Sequence, residues 1–239
     1  MLRWVHITCG MIAIIAGGVA LFSPKGSWLH RRSGVVFFGA MTVMTGTAVY
    51  LAGFVHPNRG NVVAGLTTFY LVATSFLTVR RDVASARGLY IALMLLGFAT
   101  GARALSLGML AVREGRVDFF PAPVFFMFAL IVLSAAALDA RLLLAGHIAG
   151  AQRIVRHLWR MGMAYWIATA SLFLGQAKFF PDAVRAAGVL SVPVLVVAGT
   201  VLYYLVKTLR RRKSAAPYGA WTPRSATPAA GMAQPDCRD

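Results

Sequence analysis

The sequence predicts an all-α polytopic transmembrane helical bundle of about seven spans, with the N-terminus outside and the C-terminus in the cytoplasm. Two observations carry that expectation. Apolar runs near 4 to 22, 34 to 53, 62 to 79, 88 to 110, 121 to 142, 158 to 177 and 188 to 206 each approach the roughly 20 residues that a helix needs to cross the hydrocarbon core. The polar segments between these runs carry Lys and Arg mostly at alternate ends. The 239-residue chain is 59% hydrophobic and only 13% charged, which leaves no room for a separate soluble domain.

The first run, Met1 to Ala20, has Arg3 ahead of it and small residues near Ala20, as a secretory signal would. Lys25, Arg31 and Arg32 follow it, however, and positive charge after the run marks a span that stays. On the same predicted cytoplasmic side lie Arg80, Arg81 and Arg87, then Arg141, Arg153, Arg156 and Arg160, then Lys207, Arg210, Arg211, Arg212 and Lys213. The outer side holds Arg3, Arg59, Arg113, Arg116, Lys178 and Arg185. This asymmetry gives the orientation by the positive-inside rule, and an odd number of spans places the termini on opposite faces. The net charge of +17 therefore encodes topology, and no nucleic-acid partner is expected.

Residues 1–208 form the predicted transmembrane domain, and 209–239 a basic stop-transfer cluster with a Pro-rich, disordered cytoplasmic tail. Arg210, Arg211, Arg212 and Lys213 are expected to touch anionic lipid at a bacterial inner membrane. Cys9 and Cys237 fall on opposite sides and cannot pair, which excludes a disulfide framework or a cysteine zinc site. Between the fifth and sixth spans, Gly146 to Arg160 is expected to lie along the membrane surface. No internal repeat of the kind that builds many transporters is visible.

Chemistry in such a chain falls to its histidines, because Asp139 is the one acid inside a span. His6 and His56 are predicted near the outer face, and His30, His147 and His157 near the inner one. At about 100° per residue, His6, Gly10, Ala13, Gly17 and Ala20 share a helix face. So do His30, Gly34, Phe37, Met41 and Ala48, and also His157, Ala164, Ala168, Ser171 and Gly175. A histidine heading a groove of small residues suits a buried haem, whose ring must approach the backbone while a ring nitrogen reaches the iron. The same small residues also serve plain helix packing, as Gly97 and Gly101 do in the fourth span. Arg103, inside that span, needs an anionic group, a backbone carbonyl, Glu114, Asp118 or a route to the outer headgroups. Phosphate loops, zinc-protease motifs, nucleophile elbows and paired carboxylates are absent, so no catalytic residue is assigned.

The pattern His6-x3-Gly10-x6-Gly17, then Lys25-Gly26-x3-His30-Arg31-x2-Gly34, resembles the opening of a family of uncharacterised bacterial multi-pass membrane proteins of unknown function. His157-x-Trp159-Arg160-Met161 resembles the start of a later span in the same family. The layout is distantly similar to di-haem cytochrome b type transmembrane ferric reductases, which implies haem b held between histidines of neighbouring helices. The resulting expectation is transmembrane electron transfer, with His30 and His157 as an inner axial pair to haem iron, His147 as a substitute for His157, His6 with His56 as an outer pair, and Arg103 on a propionate. A membrane scaffold or binding protein, and a permease for a small solute or lipid, are the competing functions.

Overall fold

The computed structural model describes residues 1–214, with side chains through 210. The predicted tail, Cys237 and the side chains of Arg211, Arg212 and Lys213 lie outside the described residues. Among the described residues eight α-helices follow in order: α1 Leu2–Phe22, α2 Trp28–Tyr50, α3 Arg59–Arg80, α4 Arg87–Glu114, α5 Ala122–Ala145, α6 Gly150–Phe173, α7 Asp182–Ala186 and α8 Ser191–Ser214. A π-helical turn, Leu51–Val55, extends α2, and a 3-10 turn, Ala177–Phe179, follows α6.

Six of the helices, all but α6 and α7, are long and apolar enough to cross a membrane. The surface bears this out chemically. Trp4, Ile15, Leu95, Leu130 and Leu195 are exposed on helix faces, while Thr67, Thr74, Ser75, Asp139, Arg156 and Arg160 are buried. Water would invert that distribution, whereas hydrocarbon favours it, because polar groups in lipid are satisfied by turning inward. The build is that of a multi-pass membrane protein.

Helix α3 is the hub, packing on α2, α4, α5 and α6. Around it, α1 pairs with α2, α4 pairs with α5, and α8 lies against α6. Small residues set the close approaches. A Cβ on Gly97 of α4 would lie 3.0 Å from the Tyr70 ring and 3.1 Å from Ala136, so α4 nests between α3 and α5. The predicted packing role of Gly97 is what the structure shows.

Local signals explain the ends. Ser27 and Asn58 cap α2 and α3, their side-chain oxygens accepting from the His30 and Asn61 backbone N–H groups. Helix α5 stops at Gly146, whose φ of 72° is left-handed. In the loop before α2, Lys25 donates to the Ala20 and Leu21 carbonyls at the end of α1 and sits 4.3 Å from the Tyr204 ring of α8. Its partial burial lowers the ammonium pKa from the ordinary lysine value.

The expectation of a surface helix over Gly146 to Arg160, followed by a span from 158, is corrected. One helix, α6, runs unbroken from Gly150 to Phe173, and its first half enters the bundle. Arg156 and Arg160 are buried, so they cannot serve as loop charges that set orientation. Without these two, the basic residues predicted for the inner side still outnumber those predicted for the outer.

At the opposite end, the loop between α4 and α5 makes a two-residue turn in which Val117 and Phe120 exchange backbone hydrogen bonds of 2.9 Å. Asp118 and Phe119 both take positive φ, 48° and 74°, which is costly for a phenylalanine. Arg59 holds the turn. Its backbone N–H donates to Asp118 Oδ2 at 2.6 Å, and its guanidinium to both carboxylate oxygens at 3.0 and 3.1 Å. That hydrogen bonding holds the Asp118 carboxyl below its ordinary value.

Two outcomes follow from this packing. A Cβ on Gly17 would fall 2.5 Å from the Tyr165 ring and 3.0 Å from Phe37, so Gly17→Ala should destabilise by about 1–3 kcal/mol in thermal or denaturant unfolding. Gly39→Ala, with nothing within 4 Å, should not. For the turn, a depressed carboxylate pKa contributes stability above the unfolded value and loses it as pH falls through the folded one. The Tm difference between wild type and Asp118→Asn should therefore be constant from neutral pH to about pH 5, begin to shrink as pH falls past about 4, and vanish only below the depressed folded pKa.

Candidate functional site

The groups with chemistry gather at the end of the bundle where α3 and α5 finish and α4 and α6 begin. Helix α6 presents Arg153, Arg156, His157 and Arg160 at spacings of three, one and three, which places them on one face. Helix α3 answers with Tyr70, Thr74 and Thr78 at spacings of four, and with Ser75. Between them, from α5, comes Asp139, with no exposed surface.

The Asp139 carboxylate accepts four hydrogen bonds. Oδ1 takes Arg156 Nη1 at 2.5 Å and Arg160 Nη2 at 2.6 Å; Oδ2 takes Tyr70 Oη at 2.6 Å and Arg160 Nη1 at 3.1 Å. Its lone-pair sites are filled. Arg160 further donates to Thr74 Oγ1 and to the Ala135 carbonyl, both at 2.7 Å, and lies 5.6 Å from the Tyr70 ring and 5.3 Å from the Trp159 ring. Arg156 Nε donates to Thr78 Oγ1, and Arg153 Nε to the Thr78 carbonyl, each at 2.8 Å. The α3 hydroxyls can serve because each spends its own proton on its helix: Thr74 on the Tyr70 carbonyl at 2.7 Å, Thr78 on the Thr74 carbonyl at 2.6 Å.

This cluster ties three helices through one carboxylate. Away from water the attraction is strong only while the geometry holds, and removing one partner strands the others. Sequence reasoning missed it, having noted Asp139 only as the one acid inside a span. The signal present was the i, i+3, i+4, i+7 spacing of the α6 bases, a polar face too ordered for a loop.

The predicted site residues fare differently. His157 Nδ1 lies 3.0 Å from Ser75 Oγ and 3.3 Å from the Ser75 carbonyl, while Ser75 Oγ donates to the His157 carbonyl at 2.9 Å. His30 Nδ1 lies 2.9 Å from the Ala20 carbonyl, and His6 Nδ1 lies 3.0 Å from that of Met44. His147 Nδ1 meets the Ala145 carbonyl at 3.0 Å, but its side chain is exposed. A carbonyl can only accept, so a neutral ring in this position carries its proton on Nδ1 and leaves Nε2 with a free lone pair.

Of the outer pair, His56 is exposed after the π-turn, and His6 Nδ1 meets the α2 backbone. The stripe below His6 is not an open slot either, since Tyr165 and Phe37 occupy the space over Gly17, and Tyr165 Oη donates to the Ile14 carbonyl at 3.0 Å. Arg103 faces outward on α4, with Ser106 Oγ of its own helix at 3.5 Å, and does not approach the histidines. Among the described residues no three His, Cys, Asp or Glu side chains converge as a metal site.

No protein-family model, curated protein or solved structure matches the chain.

Replacing Asp139 by Asn should lower stability by about 3–5 kcal/mol, because two buried guanidinium groups then face each other without their counter-charge. Denaturant unfolding in a fixed detergent measures it.

Proposed function

We propose that this is a bacterial inner-membrane protein with seven spans, N-terminus out and C-terminus in, that binds b-type haem at its inner end for transmembrane electron transfer. The seventh span is α6. Its 24 residues give a length of about 36 Å, enough to cross, and its charged half is neutralised in part by Asp139 rather than exposed to lipid.

The observation that carries the haem reading is the state of His30 and His157. Each ring is fixed through Nδ1 by its neighbours and keeps Nε2 free, the arrangement by which outer hydrogen bonds orient a histidine ligand and raise its basicity. Gly34, one turn beyond His30, has open space where a Cβ would stand, which leaves room on that face. Haem supplies reversible one-electron chemistry when bound, and two histidine ligands leave no open position for oxygen. The protein's part is to hold both imidazoles oriented through Nδ1, with Nε2 turned free. The reading is confined to the inner pair, because the small-residue stripe below His6 is occupied at Gly17 by Tyr165 and Phe37.

A reduced-minus-oxidised spectrum of protein expressed with a haem precursor tests this. A sharp α-band is expected in wild type and in His6→Ala and His147→Ala, and its loss in His30→Ala and His157→Ala. A colourless folded wild type, or full haem in both inner variants, contradicts the assignment.

A further inference from the structure

We propose that the buried cluster binds a small monovalent anion, such as chloride or a short carboxylate, between Arg156 and Tyr90. The proposal does not depend on the haem reading. It starts from charge. Arg156 and Arg160 meet one carboxylate, Asp139, and Tyr70 remains a neutral donor to it, so the enclosed group carries one positive charge in excess. The elements packed around it add none of the opposite sign. Helix α4 brings Arg87, whose Nη1 donates to the Leu143 carbonyl at 3.3 Å; α6 brings Arg153; the turn between α3 and α4 brings Asp82, which is exposed. An uncompensated charge held away from water is expensive, and it calls for an anion.

Three buried donors of the cluster lack a partner among the described residues, Arg160 Nε, Arg156 Nη2 and Tyr90 Oη, and the last two, which adjoin, mark the anion's place. Arg156 is 6% exposed, yet its Nη2 has no hydrogen-bond partner among the described residues, and neither does the buried hydroxyl of Tyr90. The two residues adjoin, with Arg156 Cζ 6.0 Å from the Tyr90 ring centroid. Asp139 cannot serve them, because its four acceptor sites are taken. Thr78 gives its proton to the Thr74 carbonyl and accepts from Arg156 Nε, and it closes no hydrogen bond with the Tyr90 hydroxyl. A single acceptor carrying one negative charge satisfies both donors and cancels the excess. A water satisfies the donors but leaves the charge, and a polyvalent phosphate overcorrects it. Arg87 and Arg153, nearer the end of the bundle, form a basic collar that draws anions toward this point.

The test uses the full chain in nanodiscs of neutral lipid, with thermal unfolding followed in sodium chloride, sodium formate and sodium gluconate at equal ionic strength. Wild type should show a saturable rise in Tm with chloride or formate over gluconate. Tyr90→Phe, which removes one donor and keeps the ring, should need on the order of ten times more anion for the same rise. In Arg156→Gln the excess charge is gone and the dependence should disappear; if that variant does not fold, Tyr90→Phe carries the test. The same Tm in all three salts for wild type means that water fills the site, and it overturns the proposal. So does an anion response unchanged in Tyr90→Phe.

Discussion

The pairing of Asp139 with Arg156 and Arg160 is the interaction on which the rest of the bundle depends. Helix α6 can enter an apolar environment only because its charges find a partner there, and α5 can carry an aspartate at depth only because α6 supplies donors. The cost of taking such ions from water is several kcal/mol each, so the pairing is not a simple source of stability. Its value lies in position. A bidentate guanidinium, a tyrosine hydroxyl and a backbone carbonyl admit one relative placement of α3, α5 and α6, and slippage by a turn leaves charges bare.

The histidines inherit that placement. His157 sits between Arg156 and Arg160 in sequence, so the register that seats the arginines against Thr74 and Thr78 also seats the imidazole against Ser75. His30 is set independently, by the Ser27 cap that starts α2 and by the Ala20 carbonyl. Two separate devices thus bring imidazoles to the same end of the molecule, beside a region of positive charge.

Much of the fold was legible in the sequence, for a physical reason: a membrane helix must bond its backbone internally, so length and apolarity alone mark it. The runs that became α1 to α5 and α8 are of this kind. Helix α6 was only half legible. Its arginines look like loop charges to any rule that counts basic residues, because the partner that admits them to the interior lies on another helix. The same limit applied to the site. The small residues near His6 read as a slot for a planar group, but Tyr165, far along the chain, fills it. Conversely, the role of Asp139 became visible only when α3 and α6 closed around it, since no local pattern encodes a contact between residues 139 and 160.

A double-mutant cycle on Asp139 and Arg160 tests the central claim most directly, using Asp139→Asn, Arg160→Gln and the pair, with unfolding free energies measured in one detergent. Strong coupling is the expected result: the double variant should be far less destabilised than the two single variants added together, because each substitution removes the charge that the other leaves stranded. Additive effects would show that the two groups do not depend on each other, and would contradict the account of α6 as a charged helix admitted to the bundle by one carboxylate.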